Sequence, residues 1–351
     1  PNSLMNSWIG KFIEDKHGNL WMLPALGGVS RYVREKDNFR NYPLPGGKIA
    51  VDLAYDGKRN VIWFSTRDQV ISFDPVKNRY KLCLPRNNAL QTRLIIRNDT
   101  GWAVNATGLY RIDLDANKCI KIHTGLPELD TRVSGSYLSL DQDDKGKVYV
   151  GTDHAFYTYD PVVEKSRKYT SFKTMNNGIL DFSILEGVHP INQRGKYIWF
   201  STNSFGMIRL NEDDSTDILH FYNSPDVPRK YALSDNRIHY PSEGRDSIFL
   251  VTTDNGFNYY NPVLERFVWK FNDEVSKKNS KVDSYNFASV DRNGNYWLST
   301  RLDGVSMIPK NKAFHDIFWF YERFIKDTEM PLSRYMENLR RIEETMYQLP
   351  V

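Results

Sequence analysis

Short apolar runs that contain an aromatic residue, most of which end in Ser or Thr, recur along the whole chain. Within each run successive residues are apolar, which is typical of a strand buried on both faces rather than of a strand that alternates between core and solvent. The run at 62–66 reads Ile-Trp-Phe-Ser-Thr, and the run at 198–202 has the same sequence. Seven runs share this pattern: 20–23, 62–66, 101–104, 148–152, 198–202, 248–252 and 296–300.

The spacing of these runs indicates a structural repeat. Their aromatic positions are separated by 42, 39, 47, 50, 50 and 48 residues. A period of about 40 to 50 residues is that of a propeller blade built from four strands. A β-sandwich is the alternative, but its strands recur about every 8 to 12 residues without such a longer period.

Each repeat has the same internal plan. An acidic, Gly-containing turn such as 14–19 precedes the run, and clusters of Asn, Asp and Gly form hairpins because they tolerate positive φ. A second polar turn and another apolar strand such as 70–74 follow, and an Asp-Pro turn leads to an outer strand. The pattern predicts four strands, A to D, in each blade, with the aromatic run as strand B. We therefore predict an all-β fold, a seven-bladed β-propeller over residues 1–312, followed by an α-helical tail.

Residues 313–351 depart from the repeat. An aromatic cluster at 314–324 is followed by six apolar residues spaced 3, 4, 3, 4 and 3 apart, which is a heptad seam. The pattern predicts an aromatic linker and a C-terminal amphipathic helix, with Pro331 in its first turn and Pro350 at its end. Three interpretations remain open: a helix docked on the propeller, a dimerisation helix or signalling stalk, and an appendage added for expression.

Composition restricts the classes of partner. The 351 residues are 40% hydrophobic and 14% aromatic, enough to bury a large core. The 47 basic residues nearly balance the 43 acidic ones, so we expect no nucleic acid partner. No run approaches the length of a membrane helix, so contact with a membrane is expected only through segments outside this chain. Two cysteines, Cys83 and Cys119, neither form a disulfide scaffold nor show metal-ligand spacing, and they fit either redox compartment.

The sequence carries no local signature of catalysis. It contains no Gly-x-Ser-x-Gly elbow, no Walker loop, no dinucleotide fingerprint and no paired His or Cys at metal-ligand spacing. We therefore expect no catalytic residue, no metal and no cofactor in this segment, and we expect that it is not itself an enzyme.

The predicted topology indicates where a ligand binds. In an up-and-down blade, the turns between strands B and C and the connections between blades lie on one face, around the mouth of the central channel. Guanidinium, amide and carboxylate groups in these loops can hydrogen-bond the hydroxyl and acidic groups of a sugar. The candidate ligand-binding residues are Arg67, Asp68, Arg93, Asp153, His154, Asn203, Arg237, Asn255, Arg301 and Asp303.

The repeat resembles the two-component-regulator propeller repeat. The segments 14–21 and 291–304 match it best, through an acidic Gly turn, Asn-x-Trp and a Gly-led strand, and the resemblance covers roughly residues 4 to 312. In that family the propeller usually forms the extracytoplasmic part of bacterial hybrid sensors, which detect carbohydrate fragments and signal through a membrane helix to a histidine kinase. Streptogramin-type lyases have similar blades, so the repeat defines the fold better than the activity.

The resemblance implies a sensory ligand-binding domain of a bacterial two-component signalling protein. It implies an oligosaccharide or another small ligand, a periplasmic or otherwise extracytoplasmic location with a membrane tether in the full-length protein, and a histidine kinase in the same polypeptide. The C-terminal helix would transmit the signal and could join two copies in a homodimer. The alternatives are a lyase acting on a polysaccharide or a cyclic peptide, with His154 as the first candidate base, and a scaffold that binds other proteins.

Overall fold

Seven antiparallel sheets follow one another along the chain. The computed structural model describes residues 3–86, 91–122, 138–152, 155–173, 179–181, 189–192, 197–202, 204–211, 213–214, 216–227, 232–243, 249–261, 266–269, 285–300 and 304–308. Blades 1 to 3 comprise β1 (Ile9–Glu14), β2 (Leu20–Pro24), β3 (Val29–Val33), β4 (Asn38–Tyr42), β5 (Asp52–Asp56), β6 (Val61–Ser65), β7 (Val70–Asp74), β8 (Arg79–Leu84), β9 (Thr92–Arg97), β10 (Thr100–Asn105), β11 (Gly108–Asp113) and β12 (Lys118–Lys121).

The second half of the ring repeats this arrangement. Blade 4 comprises β13 (Ser139–Gln142), β14 (Val148–Gly151), β15 (Phe156–Asp160) and β16 (Lys165–Tyr169), and a separate hairpin of β17 (Ser171–Lys173) and β18 (Ile179–Asp181) follows it. Blades 5 to 7 comprise β19 (His189–Asn192), β20 (Tyr197–Ser201), β21 (Met207–Asn211), β22 (Ile218–Phe221), β23 (Ile238–Glu243), β24 (Phe249–Thr253), β25 (Gly256–Asn261), β26 (Arg266–Trp269), β27 (Tyr285–Val290), β28 (Tyr296–Thr300) and β29 (Val305–Ile308).

The strand order confirms the predicted seven-bladed propeller. Within each blade consecutive strands pair antiparallel, in the order A-B-C-D, and blade 7 shows strands A to C within the described residues. The innermost strands of neighbouring blades pack side by side around the ring, and β1 of blade 1 packs against β27 of blade 7. The hairpin of β17 and β18 was not predicted from the sequence. The predicted C-terminal α-helix falls in 313–351, outside the described residues, and no α-helix occurs within them.

The hydrophobic core lies between blades rather than within them. Trp21 of blade 1 packs with Phe64 and Phe73 of blade 2, and Trp63 of blade 2 packs with Ala103 and Ile112 of blade 3. A four-stranded sheet has two apolar faces, so each face is shielded from water only by the next blade. The aromatic residue of strand B is therefore a core residue, as the sequence indicated.

The turn between strands A and B explains the acidic Gly signature. In blade 1 the Asp15 carboxylate accepts hydrogen bonds from the backbone N–H of His17 and of Asn19, at 2.9 and 3.0 Å, and from the Trp21 indole Nε1 at 2.9 Å. Gly18 has φ of +78°, a conformation that side chains disfavour. The motif thus folds one turn around a buried carboxylate and anchors the core indole to it.

Blade 7 repeats this turn closely. The Asp291 carboxylate accepts bonds from the backbone N–H of Asn293 and Asn295, both at 2.9 Å, and from the Trp297 indole at 2.9 Å. In blades 2 and 3 the turn has a different length, and the buried indole nitrogens of Trp63 and Trp102 have no hydrogen-bond partner among the described residues. The motif is therefore complete in blades 1 and 7 and altered in blades 2 and 3.

A disulfide joins the outer strands of two neighbouring blades. Cys83 on β8 and Cys119 on β12 are bonded, with Cα atoms 5.4 Å apart. The sequence indicated no role for this pair, because the two cysteines are 36 residues apart and only the ring geometry brings their strands together. The bond links blades 2 and 3 at the outer edge of the propeller.

Candidate functional site

The turns between strands B and C and the beginnings of the A strands lie on one face of the ring, which we call the mouth face. Three hydrogen bonds show this: Ala25 N–H donates to the Trp8 carbonyl, Thr92 Oγ1 to the Arg67 carbonyl and Gly206 N–H to the Asn236 carbonyl. In each pair a B–C turn contacts the chain just before or at the start of an A strand. The predicted location of these loops is therefore confirmed.

A cavity of about 390 Å³, lined by both apolar and charged residues, occupies the axis of the ring. Its walls are residues on or next to the A strands of blades 1, 2, 3, 4, 6 and 7. The charged and hydroxyl-bearing lining residues are Lys11, Glu14, Asp52, Arg93, Arg97, Ser139, Asp141, Ser242 and Ser289. The charged groups lie on blades 1 to 4, whereas blades 6 and 7 contribute Ser242, Ser289 and apolar groups, so the two sides of the channel differ in chemistry.

A network of charges links three blades near the mouth end of the channel. Lys11 Nζ lies 2.8 Å from the Asp52 carboxylate, which also accepts the Leu94 backbone N–H at 3.1 Å. Burial alone would raise the pKa of Asp52, but the positive charges of Lys11 and Arg93 outweigh it and hold the pKa below its usual value. Asp52 is therefore a fixed negative charge in the channel wall.

Arg93 lines the channel and also connects blades. Its Nε donates to the Leu138 carbonyl at 3.0 Å and its Nη1 to the Val51 carbonyl at 3.3 Å. The predicted ligand-binding residue thus has a structural role as well, because it joins the A strands of blades 2, 3 and 4.

The opposite end of the channel carries a second set of charges. Arg97 Nη1 donates to the Gln142 carbonyl at 2.5 Å and lies 3.6 Å from the Asp141 carboxylate. Burial raises the pKa of Glu14, an effect only partly opposed by the Arg292 backbone N–H and by the positive charges of Arg292 and Arg34. This end is therefore lined by both signs of charge.

The structure brings some of the predicted site residues together and separates others. Arg67 and Asp68 share the B–C turn of blade 2, where Asp68 lies 3.1 Å from Arg86. Arg237 and Asn255 both lie at the mouth of blade 6, where Arg237 Nη1 is 3.3 Å from the Asp254 carboxylate. Five predicted residues lie outside the described residues: Asp153, His154, Asn203, Arg301 and Asp303.

The mouth of blade 6 contains a contact that the sequence did not indicate. His239 Nε2 lies 2.5 Å from the Asp254 carboxylate, and its side chain is largely buried. Below it, Asn258 Nδ2 donates to Ser234 Oγ at 2.7 Å, and Asn255 Nδ2 donates to the Ser234 carbonyl at 3.3 Å. This network holds the B–C turn in one conformation.

A shift in strand register explains why the sequence pattern missed His239. Ile238 pairs with Thr253 and Tyr240 with Thr252, so one extra residue bulges out of β23 at His239. The same kind of bulge occurs in β1, next to Lys11, and in β27 at Asn286. Bulges redirect side chains and interrupt the alternation on which a sequence-based prediction depends.

An apolar rim borders the mouth on blades 1 and 2. Trp8 is 48% exposed, and Leu26 and Ile49, in the neighbouring loops, are also exposed. The Trp8 backbone is fixed because its N–H donates to Asn6 Oδ1 at 2.7 Å and its carbonyl accepts from Ala25. The mouth face therefore presents an exposed indole on a fixed backbone on one side and polar groups on the other.

The described residues contain neither a candidate metal site nor a candidate membrane helix. No group of three or more His, Cys, Asp and Glu residues there is arranged to hold a metal ion. No helix in the described part of the chain is long and apolar enough to span a membrane.

Comparisons with known proteins relate the chain to solved propellers. No protein-family model matches the sequence, and no curated protein matches it either. The extracellular domain assigned to the hybrid two-component system BT3049 of B. thetaiotaomicron superposes with a TM-score of 0.66 at 18% identity, over 89% of this chain and 40% of that one. The chain thus spans about 40% of the length of that domain.

Two further solved structures show the same arrangement of blades. Virginiamycin B lyase from Staphylococcus aureus superposes with a TM-score of 0.62 at 15% identity, over 87% of this chain and 95% of the lyase. The WD40 propeller domain of Doa1 superposes with a TM-score of 0.63 at 8% identity, over 89% of this chain and 96% of that one. At these identities the likeness shows the fold: the chain shares its propeller with an extracellular domain assigned to a hybrid two-component system, a lyase and a WD40 domain.

Proposed function

We propose that the chain is a sensory ligand-binding domain of a bacterial two-component signalling protein and that it recognises an oligosaccharide at the mouth face. One observation carries the proposal: an axial channel with charged and hydroxyl groups in its wall lies beneath a rim that combines the exposed Trp8 indole with Arg67, Arg237 and Asn255. The proposed ligand-binding set also includes Asp68, Arg93, Asp153, His154, Asn203, Arg301 and Asp303.

The chemistry of the rim suits a sugar. An indole offers an apolar face on which a pyranose ring can stack, while guanidinium and amide groups offer directed hydrogen bonds to hydroxyl groups. The Trp8 backbone and the blade 6 turn are already held by hydrogen bonds, so little ordering entropy would be lost on binding. The site therefore favours a ligand with many hydroxyl groups and one apolar face.

The disulfide supports an extracytoplasmic location. Disulfides persist in oxidising compartments and are rare in the cytosol. The bond between Cys83 and Cys119 and the likeness to an extracellular domain both support an extracytoplasmic location. We infer that the propeller, over residues 1–312, faces the periplasm or the exterior and that a membrane segment elsewhere in the full-length protein tethers it.

A binding experiment tests the proposal. The chain is titrated with members of a glycan library, and the affinity of any glycan that binds is measured for the variants Trp8→Ala and Arg237→Ala. We expect each variant to weaken binding about tenfold or more, because loss of one central stacking or charged contact costs upwards of about 1.4 kcal/mol. Arg40→Ala, on the outer strand of blade 1, is the matched control and should leave the affinity unchanged. Equal affinities in all three variants would contradict a site at the mouth.

Signalling is proposed to pass through residues 313–351, by a shift between two arrangements of the tails in a homodimer. A ligand shifts such an equilibrium only by its differential affinity for the two states. One position within 332–349 is spin-labelled, so that each copy in the homodimer carries one label. The distance between the two labels should change when a bound glycan saturates the protein. Unchanged distances would refute this mechanism while leaving the binding site itself intact.

A lyase is the second candidate, and one observation favours it. His239 and Asp254 form a hydrogen-bonded pair at the mouth, and a carboxylate that orients an imidazole is a common arrangement for a general base. Incubation with polysaccharides and cyclic peptides, followed by mass spectrometry of the products, separates the two functions. A sensor binds the glycan or peptide without turnover, whereas a lyase gives cleaved products. If His239 is the general base, the variant His239→Gln gives no cleaved products.

A further inference from the structure

A second cavity, of about 140 Å³, lies between blades 2 and 3. Its wall includes Asp74 and Lys77 of blade 2 and Asp115 and Asn117 of blade 3, which lie in or next to the turns between strands C and D. In an up-and-down blade these turns are on the face opposite to the B–C turns. The cavity is thus separate from the mouth face, and conclusions about it do not depend on the proposed sensory function.

The cavity exists because one cross-strand residue is small. In blade 1 the register pairs Trp21 with Arg31, whose guanidinium lies 5.2 Å from the centroid of the Trp21 ring. In blade 2 the same register pairs Trp63 with Ser72. Serine is much shorter than arginine, so a space remains between blades 2 and 3 where blade 1 holds a cationic side chain, although the Trp63 ring itself is buried.

The lining of this space is amphipathic. Val61, Trp63 and Leu114 contribute apolar groups. Arg79 and Lys81 contribute exposed cationic groups that have no ion-pair partner among the described residues. These two cations therefore stand beside an apolar surface without a compensating negative charge.

The acidic groups of the lining already have hydrogen-bond or ion-pair partners. Asp74 lies 3.4 Å from Lys77 and accepts the Val76 and Lys77 backbone N–H groups at 3.0 Å. Asp115 lies 2.7 Å from Arg59 of the neighbouring loop. Neither carboxylate compensates Arg79 or Lys81, so the local charge favours an anion.

We propose that this cavity binds a short organic anion, a carboxylate of three or four carbon atoms such as propionate or butyrate. Its alkyl chain would lie against Val61 and Leu114, next to the buried Trp63 ring, and its carboxylate would face Arg79 and Lys81. The volume equals that of about five water molecules in the liquid, at about 30 Å³ each, which matches a molecule of this size.

The walls of the cavity are held in place. The disulfide between Cys83 and Cys119 joins the outer strands of the two blades, and Ser72 Oγ donates a hydrogen bond to Asn117 Oδ1 across the joint. A site whose walls do not need to be ordered on binding loses less entropy. The anion would bridge the two blades without moving them.

The experiment follows the indole N–H resonance of Trp63 while the folded chain is titrated with butyrate. Trp63→Phe identifies the resonance by its disappearance. We expect a saturable shift with butyrate and propionate at constant ionic strength, and none with neutral butyramide. The double variant Arg79→Met, Lys81→Met should weaken binding about tenfold, because each exposed charge pair contributes a factor of a few.

Arg40→Met supplies the matched control, because Arg40 has the register position in blade 1 that Lys81 has in blade 2. It should leave butyrate affinity unchanged, and Ser72→Arg, which supplies the side chain present in blade 1, should abolish binding. Equal weakening by the Arg40 variant, or a shift that never saturates, would overturn the proposal. Inorganic sulfate that binds as tightly as butyrate would also overturn it, because the apolar wall would then contribute nothing.

Discussion

The joint between blades 7 and 1 and the joint between blades 2 and 3 hold the same ring together in different ways. At the first joint, Arg34 of blade 1 donates to the Asp291 carboxylate of blade 7 at 2.9 Å and lies 5.9 Å from the centroid of the Trp297 ring. Arg292 of blade 7 donates in return to the Lys16 and Asp15 carbonyls at 2.7 and 2.9 Å. A buried carboxylate is thus shared between its own turn and the next blade.

At the second joint Leu114 takes the position in the C–D turn that Arg34 has in blade 1. Leucine cannot donate to a carboxylate, and the Trp63 indole nitrogen has no partner among the described residues. The joint has instead the disulfide, the cavity of about 140 Å³ and the ion pairs of Arg59. Arg59 lies 3.1 Å from the buried Asp56 carboxylate of its own turn, 2.5 Å from Asp99 and 2.7 Å from Asp115.

The difference shows that apolar packing alone leaves buried polar groups without hydrogen-bond partners at each joint. A buried indole N–H and a turn full of backbone donors need an acceptor, and one buried aspartate satisfies both. At the joint between blades 2 and 3, where the motif has changed, the disulfide and the ion pairs of Arg59 join the blades instead.

The largest effect is expected from removal of the shared carboxylate. Asp291→Ala leaves the donors of Asn293, Asn295, Trp297 and Arg34 without their buried acceptor, so we expect a loss of about 4 kcal/mol in the free energy of unfolding. Urea unfolding followed by circular dichroism measures it. Asp99→Ala, in the corresponding turn of blade 3, is the matched control, because its carboxylate is exposed and its loss should change the midpoint little. Similar losses in both variants would show that the two joints do not differ.

Removal of the disulfide is expected to have the next largest effect. Cys83→Ser together with Cys119→Ser should lower the free energy of unfolding by about 3 kcal/mol, because the bond closes a loop of 36 residues in the unfolded chain. Treatment of the unaltered protein with a reductant should produce the same loss. A double variant as stable as the parent protein would mean that the apolar contacts alone secure this joint.

Strand periodicity was sufficient to predict the ring, but not the ways in which its blades are joined. The aromatic runs indicated strand B because a strand buried on both faces is apolar at successive positions, and Trp21, Trp63 and Trp199 are buried as expected. The link between Cys83 and Cys119 was missed because it depends on which outer strands meet, and that is set by the angle between blades rather than by local sequence.

The candidate site was predictable in its location and less so in its residues. Topology alone places Arg67, Arg237 and Asn255 on the mouth face, since the B–C turns and the connections between blades lie there. Lys11 and His239 were missed because bulges in β1 and β23 shift the alternation by one residue. A sequence does not reveal such a bulge unless a Gly or a broken pattern marks it, and only β1 has a Gly there, at Gly10.

A smaller effect is expected from a pair of matched indole variants. Trp21→Phe removes a donor from the buried Asp15 carboxylate, whereas Trp63→Phe removes a buried N–H that has no partner among the described residues. Both variants lose the same volume and keep an aromatic ring, so the difference between them reports mainly the hydrogen bond, with a smaller contribution from the Arg31 guanidinium beside Trp21. We expect Trp21→Phe to be the more destabilising by about 2 kcal/mol, the value of a bond to a charged acceptor. Equal losses in urea unfolding would mean that the Asp15 bond adds nothing to the packing.

The smallest effect is expected in the pH dependence of the blade 1 turn. Burial alone would raise the pKa of Asp15, but hydrogen bonds from Trp21, Asn19 and His17 outweigh it, so its pKa is below the ordinary value of 3.8. A carboxylate with a lowered pKa in the folded state stabilises the protein above its unfolded pKa, and this stabilisation is lost as pH falls through the folded value. Urea unfolding between pH 6 and about pH 3 should therefore show a steeper loss for the parent protein than for Asp15→Asn, whose amide does not titrate there. Parallel profiles would show that Asp15 contributes the same stability in its charged and neutral forms. The charge of the carboxylate would then not explain how joints with the complete motif differ from the others.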